Sequence, residues 1–152
     1  MMKIKLINVL SGIAFFLFAS VSFGQQHYPT NALSYEWTLI KQEKGINFYA
    51  KKTDEVVIEG KKPLTFVLVK LENTTSKNAK LLYNLAAFYN EGCQNCGSSQ
   101  EARKLVELPA NGTVEGAFDK GNSPLSIMLQ NPNINNGWIP ESIAIENLII
   151  NN

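Results

Sequence analysis

The sequence predicts an all-β protein, an immunoglobulin-like β-sandwich of about seven to eight antiparallel strands that follows a signal peptide. Turn-forming glycine, asparagine and proline recur at roughly every eight to fifteen residues, which is the spacing of short strands in a sandwich or barrel. The apolar residues between these turns mostly alternate, as in strands with one buried face. The N-terminal residues have a different pattern, which is typical of an export leader.

The leader prediction rests on the order of charge, apolarity and small residues. Lys3 and Lys5 precede an apolar run over residues 6–23, and small residues lead to Gly24 before the chain turns polar at Gln25. A basic start, an apolar middle and a small-residue end describe a secretory signal peptide that is cleaved after Gly24. An uncleaved membrane anchor is the alternative, because the run is just long enough to cross a bilayer.

The domain organisation follows from this cleavage. Residues 1–24 are predicted as the signal peptide, 25–33 as a polar lead-in and 34–152 as one β-sandwich domain, in the periplasm or outside the cell. Loss of the two leader lysines leaves twelve basic residues against thirteen acidic ones. With no basic stripe to neutralise phosphates, no nucleic-acid partner is expected. No membrane span is expected after cleavage.

The first strands are predicted at 35–42 and 46–52, joined by a tight turn at Lys44 and Gly45. Trp37 alternates in phase with Leu39, so we expect its side chain in the core. The next segment, residues 63–73, is apolar on both faces and is predicted to be a central strand.

Residues 79–90 are ambiguous, because Leu81, Leu82, Leu85 and Phe88 also suit one face of a helix. We predict a strand, since the apolar residues also share one face at period two and the neighbouring segments are strands.

The second half of the chain alternates more clearly. Its last segment changes phase, from Ile143 and Ile145 inward to Leu148 and Ile150 inward, which predicts a one-residue β-bulge near Glu146. Strands are predicted in four places, over residues 102–108, 113–118, 124–130 and 142–150.

A resemblance to known proteins rests on four phrases that are spread along the chain. The chain resembles small exported proteins of the Bacteroidota in the segments EWTLIKQEKGINFYAKK, FVLVKLENTT, ELPANGTVEG and IAIENLII. This resemblance implies an exported β-sandwich, and these proteins have no assigned activity that it could imply for this chain. The pattern W-T-L-I-K…G-I-N-F-Y also resembles the first strands of START lipid-binding domains. Those domains close with a helix over their cavity, whereas this chain ends on a predicted strand, so a lipid pocket is disfavoured.

Cys93 and Cys96 are the only cysteines, in C-x-x-C spacing. Two thiolates supply half of a tetrahedral zinc site, and the one histidine, His27, lies far away in sequence. A thioredoxin-like centre needs a helix start, but Gly92 and Gly97 flank the pair and favour a turn. Because exported thiols meet an oxidising compartment, we predict a disulfide at the tip of a hairpin. We predict no metal site and no cofactor.

The long polar loop NPNINNGWIPES, residues 131–142, is the candidate ligand site. It combines amides with an aromatic ring, a combination that suits a sugar or a peptide, and long loops in compact domains are often functional. The alternative is that Trp138 folds back to cap the core. The candidate ligand residues are Asn131, Asn133, Asn135, Asn136 and Trp138.

These observations favour a non-catalytic binding or interaction module of the cell envelope or secreted fraction, with an unknown protein or glycan partner. No catalytic residue is predicted, because a serine or cysteine nucleophile needs a positioned base and the one histidine lies two residues from the predicted mature start. The alternative function is a periplasmic thiol–disulfide redox protein that uses Cys93 and Cys96.

Overall fold

The computed structural model describes residues 26–57, 63–97, 102–117, 124–130 and 139–152. Within these ranges the chain forms ten strands, one 3₁₀ turn and no α-helix, so the all-β prediction is confirmed. The strands are β1 (Tyr28–Pro29), β2 (Thr38–Glu43), β3 (Ile46–Lys52), β4 (Thr65–Asn73), β5 (Ala79–Tyr89), β6 (Gly92–Gln94), β7 (Arg103–Leu108), β8 (Thr113–Glu115), β9 (Ser126–Gln130) and β10 (Ser142–Asn151).

The strands form two antiparallel sheets of five strands each. In the first sheet β10 lies between β1 and β5, and β6 and β7 pair with different parts of β5. In the second sheet β3 lies between β2 and β4, and β8 and β9 pair with different parts of β4. β4 has partners on both sides, which confirms the central strand predicted for residues 63–73. The ambiguous segment 79–90 forms β5, so the prediction of a strand there is also confirmed.

The predicted turn between β2 and β3 is confirmed. Lys44 has a φ of 48° and Gly45 a φ of 78°, and positive φ at both central residues is characteristic of the type I′ turn of a two-residue hairpin. Glycine accepts such a φ without a steric penalty.

The core lies between the two sheets, where both contribute alternate side chains. Phe48 from β3 and Tyr83 from β5 are fully buried, and their rings meet edge to face with centroids 6.2 Å apart. This geometry is a favourable one for aromatic rings. The Tyr83 hydroxyl donates a 3.0 Å hydrogen bond to the carbonyl of Pro124, so burial leaves no unpaired hydroxyl.

The predicted bulge in β10 is also confirmed. The register with β5 shifts between Glu146 and Ile149, and Asn147 has a φ of 49°. Ile143 is buried before the shift, and Leu148 packs against the same core after it. The extra residue lets one strand keep its apolar side chains inward across a change of phase.

Trp37 does not lie in the main core, so that prediction is wrong. Ile40 of β2 is buried in the core, whereas Leu39 is 49% exposed and Trp37 packs on the outer face of the second sheet. The reason is that β4 is apolar on both faces. Its outward residues Phe66 and Leu68 form a second apolar cluster that Trp37 partly covers.

Part of the predicted polar lead-in packs onto the domain. Tyr28 and Pro29 pair with Ile143 and Ser142 of β10, and Leu33 is buried in the core. The very short strands β1 and β6 bring the number of strands above the seven to eight expected.

Candidate functional site

Cys93 and Cys96 lie close together beside β5. Cys93 is in β6 and stands opposite Phe88 of β5, and the two cysteine sulfurs are adjacent, with Cα atoms 5.9 Å apart. The hairpin turns at Asn90 and Glu91, before both cysteines. Cys93 is thus within β6 and Cys96 directly after it, in the connection between β5 and β7, which pair as the two strands of the hairpin predicted to carry the cysteines.

Hydrogen bonds fasten the segment after Cys93 to the outer face of the first sheet. The Asn84 Nδ2 atom donates to the carbonyl oxygens of Asn95 and Gly97 at 3.2 and 2.8 Å. The Asn147 Nδ2 atom donates to the same Gly97 oxygen at 2.6 Å. The Gly97 amide lies 3.4 Å from a carboxylate oxygen of Glu146, to which it donates.

A polar row lies on this face of the first sheet. Glu146 of β10, Asn84 of β5 and Arg103 of β7 are consecutive cross-strand neighbours. Glu146 and Asn84 are almost completely buried. The Asn84 Oδ1 and Arg103 Nε atoms have no hydrogen-bond partner. Sequence reasoning missed this row, although the outward phase of β5 carries a polar residue between apolar ones.

The predicted ligand residues Asn131, Asn133, Asn135, Asn136 and Trp138 lie outside the described residues. The structure does describe the residues on either side of this segment. Leu129 of β9 and Ile139 both line an open cleft of about 410 Å³ between the ends of the two sheets. The other described residues that line this cleft are Thr30, Asn31, Tyr35, Lys52, Thr53, Glu55 and Thr65.

A second surface lies on the outer face of the second sheet, and we call it the aromatic–lysine face. It consists of Trp37, Tyr49, Lys51, Lys70 and Glu72. The Lys70 Nζ atom lies 5.0 Å from the ring centre of Trp37 and 4.6 Å from that of Tyr49. The Lys51 Nζ atom lies 4.6 Å from the ring centre of Trp37. These distances are those of cation–π contacts.

Hydrogen bonds extend this face toward the β2–β3 turn. A Glu72 carboxylate oxygen accepts from the Tyr49 hydroxyl at 2.8 Å and from the Asn47 Nδ2 atom at 2.9 Å. The Gln42 Nε2 atom donates to the Asn47 Oδ1 atom at 2.7 Å. The bonds from Asn47 and Tyr49 lower the pKa of Glu72. The same carboxylate raises the pKa of the Tyr49 hydroxyl.

Neither lysine of this face forms a salt bridge within the described ranges, although Lys70 is near enough to Glu72 to help lower the pKa of that carboxyl and stands across from Glu115 of β8. The salt bridges there join Lys41 to Glu43 and Lys80 to Glu107. Lys51 and Lys70 thus place two ammonium groups beside one indole ring, and neither group is held in a salt bridge. This surface was not predicted, because two lysines on neighbouring strands are a common pattern and only the register brings them to Trp37.

Other site classes find less support in the described residues. No group of three or more histidine, cysteine, aspartate or glutamate side chains lies close enough there to hold a metal ion. The ring of His27 packs against that of Phe88 at an angle of 45°, with centroids 4.0 Å apart, and its Nδ1 atom lies 3.4 Å from the Ser142 hydroxyl. No helix in the described ranges is long and apolar enough to cross a membrane.

Comparison with protein families, with curated proteins and with solved structures finds no match for this chain.

Proposed function

We propose that this chain is an exported, immunoglobulin-like β-sandwich that binds acidic glycans through its aromatic–lysine face. The leader pattern of residues 1–24 supports export. The two packed antiparallel sheets support the fold, and the function is argued from the surface itself, because sandwich folds serve many functions.

The observation that carries the proposal is the pair of lysines beside Trp37. An ammonium group that is not held in a salt bridge attracts an anion, and two such groups beside one ring suit the regularly spaced carboxylates of an acidic polysaccharide. Aromatic rings offer apolar surface to the carbon face of a sugar, and the amides of Gln42 and Asn47 offer hydrogen bonds to its hydroxyls.

The Tyr49–Glu72 hydrogen bond adds preorganisation. It fixes the tyrosine ring on which Lys70 rests, so less side-chain freedom is lost when a ligand binds. The cleft beside Leu129 and Ile139 is a second recess at the end of the sheets, and its described lining contains one lysine rather than two.

The alternative redox function receives less support from the surroundings of Cys93 and Cys96. The pair lies beside strands, without the helix start that lowers a thiol pKa in thioredoxin-like centres. Asn84 and Asn147 hold the adjoining segment onto the sheet, an arrangement that suits a structural staple. We therefore propose that the two cysteines form a disulfide that shapes this segment.

Isothermal titration with oligogalacturonate, an acidic glycan, tests the proposal, with maltooligosaccharides as the neutral comparison and a polyglutamate peptide as the alternative anion. We expect binding of the acidic glycan that weakens with added salt. Lys51→Met and Lys70→Met should each weaken it about tenfold, on the scale of one charge-assisted contact.

Lys77→Met is the matched control, because Lys77 is exposed in the β4–β5 turn and forms no cation–π contact with Trp37 or Tyr49. It should bind like the parent protein. The proposal is overturned if the acidic glycan does not bind, or if its binding is unchanged in both Lys51→Met and Lys70→Met. Tighter binding of polyglutamate than of the glycan would instead assign the face to an acidic protein segment.

A further inference from the structure

Strand β7 is the least protected edge in the described part of the two sheets. The other edge strands there are blunted in ways that hinder pairing with another chain: β1, β6 and β8 have two or three residues each, and β2 and β9 carry irregular registers. β7 has six residues and pairs with β5 without a register shift. A regular edge strand is a template for a further strand.

The outward side chains of β7 are self-complementary. Arg103, Leu105 and Glu107 follow one another on the outer face. A two-fold axis at Leu105 would set Arg103 against Glu107 of a second copy, and Glu107 against Arg103 of that copy. Opposite charges directly across an antiparallel pair stabilise it, and the central contact is leucine on leucine.

Only one register fits this pattern. A slip by two residues in one direction opposes Lys104 to Lys104 of the second copy, and a slip in the other direction opposes Leu105 to Glu107 of that copy. A slip by one residue turns the second sheet over and exposes its core face. The charges and the apolar residue therefore select the register that is centred on Leu105.

Two features of the single chain leave this edge ready for such a partner. The Arg103 side chain is partly exposed and forms no salt bridge within the described residues, which leaves its charge for a carboxylate of a second copy. Glu107 uses its Oε1 atom to pair with Lys80 at 3.2 Å, which leaves its other oxygen for a second cation.

The apolar row on the same face ends at this edge. Ile149, Leu82 and Leu105 are cross-strand neighbours on β10, β5 and β7. Leu105 is about half exposed. Pairing of the two β7 strands would bury the contact between the two Leu105 side chains and make the apolar rows of the two copies continuous.

We propose that the protein forms a symmetric dimer by antiparallel pairing of β7 with β7 of a second copy, centred on Leu105. One strand pair buries less than the roughly 1,000 Å² of a stable interface, so the dimer is reversible and forms at micromolar or higher concentration. The surface lies on the first sheet and is independent of the aromatic–lysine face on the second.

Sedimentation velocity of the purified protein over a concentration series tests this proposal. Arg103→Glu and Glu107→Arg should each weaken the dimer roughly tenfold, because each acts on two symmetric charge pairs. The double variant restores opposite charges with the order reversed, and it should dimerise within about threefold of the parent protein. Lys77→Glu changes the net charge as much as Arg103→Glu does and should have no effect.

Hydrogen exchange of the unchanged protein gives a second measurement that needs no variant. Backbone amides of β7 should become protected as the concentration rises, while those of β2 should not. A protein that stays monomeric at millimolar concentration overturns the proposal. A dimer that is indifferent to the single charge reversals, or whose concentration-dependent protection lies outside β7, also overturns it.

Discussion

The side chain of Asn84 donates a 2.8 Å hydrogen bond to the carbonyl oxygen of Gly97, on the outer face of the first sheet. Asn84 is 1% exposed, so the bond lies away from water, and the same nitrogen also holds the carbonyl of Asn95. β5 is therefore covered on both faces. The core covers its inward face, and the segment that contains Cys96 covers its outward face around Asn84.

Asn84→Ala should lower the free energy of unfolding by about 1–2 kcal/mol, because two part-buried hydrogen bonds, to the carbonyls of Asn95 and Gly97, are lost. Urea unfolding followed by circular dichroism measures this change. Asn90→Ala, in the exposed β5–β6 turn, is the control and should stay within about 0.5 kcal/mol of the parent protein. Equal effects of the two substitutions would contradict the role assigned to Asn84.

The parts of the fold that could be predicted from the sequence are those that a single local rule of strand or turn geometry determines. The phase change from Ile145 to Leu148 requires an extra residue if both are to face one core, and the bulge at Asn147 supplies it. The Lys44–Gly45 turn was predictable because its two positive φ angles favour glycine.

The sites were harder to predict, because they depend on the register between distant strands. Trp37 was assigned to the wrong face, since alternation gives two faces but not which one meets the main core. Glu146 and Asn84 are neighbours only because β10 pairs with β5 in one register, and they are 62 positions apart in sequence. Local pattern contains no information on such pairs.

Tyr83→Phe should make stability less sensitive to alkaline pH. Burial raises the pKa of the Tyr83 hydroxyl well above its ordinary value of 10.0. Below about pH 10, the ordinary tyrosine pKa, the hydroxyl keeps its proton in both the folded and the unfolded chain, so it does not reduce the free energy of unfolding. Above it the unfolded chain ionises first, so the free energy of unfolding falls by about 1.4 kcal/mol per pH unit for this group.

Melting temperatures between pH 8 and pH 12 measure this difference. The parent protein should lose stability more steeply than Tyr83→Phe above about pH 10, the ordinary tyrosine pKa. A residual slope is expected in the variant, because the pKa values of Tyr49 and Tyr89 are raised as well. At neutral pH the variant should be less stable by about 1 kcal/mol, since the bond to Pro124 is lost. Parallel pH profiles would refute the assignment.

Protein recovered from cells that export it should begin within two residues of Gln25. The charge, apolar run and small residues of positions 1–24 motivate this expectation. Intact mass spectrometry of the purified protein decides it, and a mass that still contains residues 1–24 would show that the leader is retained.

Replacement of both cysteines, Cys93→Ser with Cys96→Ser, should leave a folded protein with a modestly lower melting temperature. A bond that closes so small a ring removes only about 2 kcal/mol of unfolded-chain entropy, and Asn84 and Asn147 still hold Gly97. Thiol titration of the denatured parent protein should find free thiols only after a reductant is added. Two reactive thiols in protein taken from the cell envelope would refute the disulfide. Appreciable turnover in an insulin-reduction assay, lost in the double variant, would favour the redox function over the staple.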